Sequence, residues 1–179
     1  RILNFLTVEE ADRVIKLSAL KMAPALVFEG KELTTMNYRT SQTAWLTPAE
    51  LDKGFSSEDL SRRIELVTGL SLDSAEDLQI AFYGGETHGK YEPHMDWGVE
   101  KPTDVRRDFD HMKGGIAPGG RLATLLIYLN DVPAGGHTAF TRQEMYVKPQ
   151  AGSAIFWYNL IPGESGALGD VLTRHGGCP

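Results

Sequence analysis

The sequence predicts an α+β fold, with helices first and a barrel or sandwich of short strands after them. Three observations predict it. Helix-capping patterns fall early in the chain, at Thr7 and Thr47. Beyond about residue 77 the rhythm changes to short aromatic and β-branched runs separated by Gly/Pro loops. Glycine follows the same division: of 19 in the 179-residue chain, Gly30, Gly54 and Gly69 alone precede Tyr83.

Each element has its own local cause. Thr7-Val8-Glu9-Glu10 is a capping box, and Val8, Ala11, Val14, Ile15 and Ser18 follow at helical spacing. Thr47-Pro48-Ala49-Glu50 starts a short helical turn, with proline at its first position. A further helix is predicted over 58–68, with Ser57 as cap, Leu60, Ile64 and Val67 as apolar face, and Gly69 at its C-terminus. Strands are predicted over 78–83, 91–97, 121–129, 144–147, 153–160 and 171–175. Residues 98–120, charged and carrying Gly-Gly pairs, read as a long loop of the kind used near active sites. The helices are expected to buttress one sheet.

Composition excludes several classes. With 41% hydrophobic and 23% charged residues the chain is globular, and its length suits a single domain with a sizeable core. The glycines keep no Gly-X-Y period, which excludes a collagen triple helix. No apolar run approaches the ~18 residues of a membrane span. A net charge of −6 argues against a nucleic-acid partner. The chain opens inside an element, at Arg1-Ile2-Leu3, and reads as a piece of a longer one with no visible signal peptide. Its one cysteine, Cys178, has no internal disulfide partner.

The sharpest chemical signal is Tyr91-Glu92-Pro93-His94-Met95-Asp96-Trp97. On an extended strand His94 and Asp96 share a face, with Met95 and Trp97 on the opposite, packed one. An imidazole and a carboxylate so placed supply two legs of a 2-His-1-carboxylate site, which leaves open positions on Fe(II). For the third leg, His88 and His111 read as solvated loop histidines and His137 is ambiguous. His175, at the end of a short strand, is the best candidate. Taken alone, His-x-Asp is a short motif, and a merely hydrogen-bonded pair is its commoner meaning.

Longer stretches add to it. Ser41-Gln42-Thr43-Ala44-Trp45-Leu46, Ala75-Glu76-Asp77-Leu78-Gln79, Tyr91-Glu92-Pro93-His94-Met95-Asp96 and Arg121-Leu122-Ala123-Thr124 occur in that order. They are followed by Tyr128-Leu129-Asn130-Asp131-Val132, Gly135-Gly136-His137-Thr138-Ala139-Phe140, Phe156-Trp157-Tyr158-Asn159-Leu160 and Thr173-Arg174-His175-Gly176-Gly177-Cys178-Pro179. Together they resemble the catalytic domain of collagen prolyl 4-hydroxylase α subunits, which are Fe(II)- and 2-oxoglutarate-dependent dioxygenases. The resemblance implies one catalytic domain over 1–179, with helical support over about 1–77 and a double-stranded β-helix (jelly-roll) core over about 78–179.

Carried over by position, the resemblance makes His94, Asp96 and His175 the catalytic iron ligands. It sets Tyr83 and Thr138 on the 2-oxoglutarate carboxylate, and Glu76, Tyr91 and Arg121 along the peptide groove. Read without it, Tyr83 and Tyr91 are half-buried strand tyrosines, Arg121 is an ordinary strand-end cation, and Trp157 and Tyr158 are core. The glycine pairs at 84–85, 135–136 and 176–177 fall beside these positions, where tight turns call for φ > 0. The pairs at 114–115 and 119–120 bracket the end of the long loop over the groove.

The resemblance further implies 4-hydroxylation of peptidyl proline in procollagen or other Pro-rich chains, using O2, with ascorbate rescuing oxidised iron. It implies protein disulfide isomerase as β subunit, residence in the endoplasmic reticulum lumen, and pairing of Cys178 with a cysteine beyond Pro179. The family's lysine for the distal 2-oxoglutarate carboxylate, and the strand carrying it, would fall beyond Pro179. The loop from Tyr83 to Tyr91 runs longer than the family's. Three alternatives stay open: a prolyl hydroxylase of non-collagen proteins, a zinc hydrolase using the same His/Asp set, and a non-catalytic jelly-roll binding module.

Overall fold

In the computed structural model, which describes residues 1–29, 32–34, 37–84, 88–97, 120–163 and 166–179, the helices begin where their caps predict. Helix α1 (Val8–Ala19) starts with the Thr7 hydroxyl accepting from Glu10 N at 3.1 Å, while Glu10 accepts from Thr7 N at 2.8 Å. Three short strands follow: β1 (Ala23–Pro24), β2 (Val27–Glu29) and β3 (Glu32–Thr34). After β4 (Arg39–Thr40) and β5 (Gln42–Leu46), helix α2 (Pro48–Leu51) carries a second complete box at Thr47. Helix α3 (Ser57–Thr68) is capped by Ser56, one residue earlier than expected, because that hydroxyl reaches Asp59 N. Gly69 closes α3 at φ 71°, in the left-handed region that favours glycine.

The later part supplies β6 (Leu78–Phe82), β7 (Lys90–His94), β8 (Ala123–Ile127), β9 (Thr138–Phe140) and β10 (Met145–Val147). Then come β11 (Ala154–Tyr158), β12 (Leu160–Gly163), β13 (Gly166–Gly169) and β14 (His175–Gly177). Antiparallel pairing gives a five-stranded sheet in the order β10-β9-β14-β7-β4 and a β11-β8 pair. A further sheet runs β1-β5-β6, and β2-β3 and β12-β13 form two-stranded ribbons.

Strict alternation along β8 and β11 divides the interior into two cores. Leu125, Ile127 and Leu129 join Phe5, Leu6, Val14, Leu46, Leu51, Leu60 and Ile80, so one face packs under the helices. The other face carries Leu126 and Tyr128, which join Phe140, Val147, Ile155 and Trp157 between β9–β10 and β8–β11. Residues two apart on a strand share a face, so Thr124 points the same way as Leu126 and Tyr128. This two-layered arrangement is the jelly roll, with α1 and α2 lying against β5 as expected of supporting helices.

Several expectations need correction. Strands occur before residue 78: β5 pairs fully with β6, from Gln42↔Phe82 to Leu46↔Leu78. The signal was present in Thr43-Ala44-Trp45-Leu46, where Ala44 and Leu46 are buried and Trp45 is exposed. The strand expected over 171–175 is a 3-10 turn over Val171–Thr173, because the Asp170 carboxylate accepts from Leu172 N at 2.9 Å. Tyr158 is exposed rather than core. Val67, expected on the buried face of α3, is 43% exposed. Gly135 and Gly136 do take positive φ, 72° and 65°, but Gly176 and Gly177 lie within β14 without it. At Gly176 the requirement is close approach: a Cβ there would sit 2.9 Å from the Tyr91 carbonyl oxygen. Most of the loop over 98–120 lies outside the described residues, together with Gly85, Gly114, Gly115, Gly119 and His111.

Candidate metal and cosubstrate site

Strand pairing assembles the site. In the β14–β7 ladder His175 stands opposite His94, so the two imidazoles are cross-strand neighbours with ring centroids 4.5 Å apart. The Nδ1 of each ring lies 2.9 Å from a backbone carbonyl two residues earlier, Glu92 for His94 and Thr173 for His175. A carbonyl can only accept, so Nδ1 carries the proton and Nε2 presents its lone pair.

Asp96 joins them from outside the ladder. The strand expected over 91–97 ends at His94, and the chain bends at Asp96 and Trp97. Trp97 still buries as expected, and its indole donates to the Asp170 carbonyl at 3.2 Å. The Asp96 side chain is 6% exposed, with Oδ1 3.6 Å from His94 Nε2 and Oδ2 3.7 Å from His175 Nε2. One donor atom from each of the three residues lies within 4.8 Å of the others. Burial opposes ionisation of Asp96, but a hydrogen bond from a protonated His94, the charge of a protonated His175 and the Thr124 hydroxyl outweigh it and hold the carboxyl well below the usual carboxylate range; with the rings neutral, a bound cation would take over that part. Burial pushes the His175 pKa down, which favours the neutral ring that can ligate. Two neutral imidazoles and one carboxylate are the donor set that suits Fe(II), so these residues fit the metal.

Tyr83 and Thr138 come together beside this cluster. Thr138 is the cross-strand partner of Gly177, and His175 pairs with Phe140 on the same β9–β14 ladder, so all four share one face. On that face a Cβ at Gly177 would lie 3.6 Å from the Tyr83 hydroxyl. Thr138 is buried, and its hydroxyl accepts from Tyr128 at 2.8 Å. Tyr83 is 36% exposed over the whole residue, and partial desolvation of its phenol raises the pKa further above neutrality, so the hydroxyl is a hydrogen-bond donor.

The three residues expected along a groove ring the cluster. Tyr91 stacks on His94, with centroids 3.6 Å apart and planes 18° apart, and the Arg39 guanidinium lies 4.7 Å from the Tyr91 centroid. Arg121 forks onto Glu76 at 2.5 and 2.9 Å and also approaches Asp96 Oδ1 at 3.4 Å. Elsewhere, His88 is exposed and His137 makes an edge contact with Tyr146, so neither joins the cluster. Sequence reasoning missed Tyr128, Thr124 and Asn159. Their signal was a polar group at an inward position of an apolar strand, next to Leu126 in one case and Trp157 in another.

This fold and site define a class, and comparison with known proteins agrees. Residues 78–179 match the 2OG-Fe(II) oxygenase superfamily, and the chain belongs to it. Among curated proteins, prolyl 4-hydroxylase subunit alpha-1 of Gallus gallus is 39% identical over 184 residues, covering 100% of this chain and 32% of that subunit. Subunit alpha-2 of Gallus gallus is 40% identical over 96% of this chain and 29% of its own length. The Homo sapiens alpha-1 subunit is 39% identical over 83% of this chain and 25% of its own length. The chain thus spans about a third or less of these relatives. Among solved structures, the viral collagen prolyl hydroxylase of Paramecium Bursaria Chlorella virus-1, in its 2OG complex, superposes with a TM-score of 0.62. At 22% identity, over 98% of this chain and 84% of that one, this likeness concerns the fold.

Proposed function

We propose that this chain is a single catalytic domain that 4-hydroxylates peptidyl proline in collagen-like, Pro-rich chains, coupled to conversion of 2-oxoglutarate to succinate and CO2. The observation that carries the reading is the His94–Asp96–His175 cluster, flanked by the Tyr83 and Thr138 hydroxyls and by the Tyr91 ring. The names of the curated relatives support the substrate class.

Bound Fe(II), with 2-oxoglutarate and O2, supplies the oxidation: one oxygen atom ends in succinate, the other becomes the proline hydroxyl, and CO2 leaves. His94, Asp96 and His175 would hold the cation and, as only three donors, would leave it able to take a cosubstrate. Their single negative charge leaves the divalent site positive, which favours a dianionic cosubstrate. Thr138 already accepts from Tyr128, so its own proton is free for a cosubstrate carboxylate. The Tyr83 phenol, protonated at neutral pH, supplies a second donor. Tyr91, packed against His94 and Arg39, contributes an aromatic wall beside the metal ligands, and a polyproline-II chain arrives with its conformation already set. Arg121, oriented by Glu76, supplies a fixed donor at the groove edge for a peptide carbonyl.

In the same reading ascorbate restores oxidised iron, protein disulfide isomerase is the β subunit, and the enzyme works in the endoplasmic reticulum lumen. Among the described residues, no helix is long and apolar enough to cross a membrane. The test is peptide-dependent succinate formation by the full chain reconstituted with Fe(II) or Zn(II). Turnover with Fe(II) alone, abolished in His175→Ala, is expected. A fully active His175→Ala variant, or activity supported by Zn(II), overturns the assignment.

A further inference from the structure

Asn159 is fully buried, 0% exposed, within a strongly apolar stretch, and each of its polar groups is engaged. Its backbone N–H donates to the Leu122 carbonyl at 2.9 Å, and its own carbonyl accepts from Asp170 N at 2.8 Å. Its side chain joins two others: Trp157 Nε1 donates to Asn159 Oδ1 at 2.8 Å, and Asn159 Nδ2 donates to Thr124 Oγ1 at 2.9 Å. Thr124 Oγ1 in turn donates to Asp96 Oδ2 at 2.7 Å. The strand register makes this possible, because Trp157 stands opposite Thr124 in the β11–β8 ladder and Asn159 follows at the bend just after β11.

The direction of every bond in this chain follows from one residue. An indole N–H can only donate, so the Asn159 oxygen must face Trp157 and its amide nitrogen must face Thr124. Thr124 then accepts from Asn159, and its single hydroxyl proton is left for Asp96. We propose that the relay Trp157 → Asn159 → Thr124 sets the rotation of the Asp96 carboxylate by pinning Oδ2, so that its oxygens are held facing His94 Nε2 and His175 Nε2. The contact on the other oxygen is longer: Arg121 Nη1 lies 3.4 Å from Oδ1, against 2.7 Å for Thr124 on Oδ2. The ring of Trp157 also meets His175 edge-on at 4.8 Å, so its placement is fixed independently of the relay. Asn159, Thr124 and Trp157 are therefore positioning residues: Thr124 touches Asp96, Trp157 touches His175, and Asn159 acts through both of them. The inference rests on the reading of His94, Asp96 and His175 as metal ligands.

The experiment is titration of the full chain with Co(II) alone, read by its visible ligand-field absorption. Thr124→Val is expected to weaken Co(II) binding about 10- to 100-fold, the usual effect of removing a partner that orients a ligand. Thr124→Ser, which restores the hydroxyl, is expected to return affinity to within about threefold of wild type. Trp157→Phe frees the Asn159 amide to turn over and is expected to weaken binding about threefold to tenfold. Any effect it has through the Trp157–His175 contact persists in the Thr124→Val background, but the part carried by the relay disappears, so the double variant should fall short of the product of the two single effects. Unchanged affinity in Thr124→Val, or fully multiplicative effects in the double variant, overturns the relay while leaving the metal site intact. Should Thr124→Val not fold, Trp157→Phe with wild-type affinity overturns it equally. Wild-type protein that binds no Co(II) overturns the metal reading itself.

Discussion

Alanine at position 176 tests how the fold brings the two imidazoles together. Gly176 lies in β14 next to His175, and its missing side chain lets β14 approach β7. A Cβ there would sit 2.9 Å from the Tyr91 carbonyl oxygen, 3.1 Å from Pro93 N and 3.3 Å from Pro93 Cα. All three are backbone atoms, so relief requires the strands to separate rather than a side chain to rotate. Overpacking of this kind costs about 1–3 kcal/mol. Loss of glycine's freedom in the unfolded chain offsets about 0.4–1 kcal/mol of that. The net is a loss of up to about 2.6 kcal/mol, or a Tm lower by as much as about 10 °C for a chain of this size. Calorimetry measures the first effect, and Co(II) titration measures the accompanying loss of affinity as His175 shifts from His94. Gly69→Ala is the control: at φ 71° with open space around it, it costs about 1 kcal/mol of strain and leaves Co(II) binding alone. A Gly176→Ala protein with wild-type Tm and wild-type Co(II) affinity refutes the close-approach reasoning.

Tyr128→Phe removes the donor to buried Thr138; stability should fall by about 0.5–1.5 kcal/mol, and the KM for 2-oxoglutarate should rise severalfold with kcat little changed. Tyr91→Ala should raise peptide KM about tenfold or more while peptide-independent succinate release persists, and a variant with wild-type peptide KM removes Tyr91 from the groove. Glu10 supplies a pH test, because the Arg63 hydrogen bonds at 2.5 and 2.8 Å lower its pKa from 4.5 against the opposing effect of burial. The folded pKa thus lies below the unfolded one, so this stabilisation is complete above about pH 4.5 and is lost as pH falls through the folded value. Urea melts of Glu10→Gln should therefore show a shallower loss of stability in acid than wild type, and parallel acid limbs contradict this.

Local chemistry was legible where one residue decides the outcome. Thr7, Thr47 and Gly69 each end a helix by a bond or a dihedral that no neighbour can supply, and all three lie where their residue type predicts. The pairing of His94 with Asp96 was legible for a partly mistaken reason: Asp96 reaches the cluster through a bend after β7, not by alternation along it. That bend leaves no mark in a short motif. The choice of His175 depended on a strand that is in fact a 3-10 turn, yet β14 begins at His175 and sets it against His94. Tyr128, Thr124 and Asn159 escaped because their importance comes from cross-strand register. Register is fixed by the whole set of inward-facing residues on β8 and β11, not by a local run.

The most direct measurement is anaerobic titration of 2-oxoglutarate into the Fe(II)-loaded full chain, followed in the visible. Chelation of iron by the 2-oxo group and its carboxylate gives a charge-transfer band. That band is expected to saturate in the wild type and to be missing from His94→Ala and His175→Ala. A wild-type protein that holds Fe(II) yet develops no band at saturating 2-oxoglutarate contradicts the assignment of His94, Asp96 and His175 as its catalytic centre.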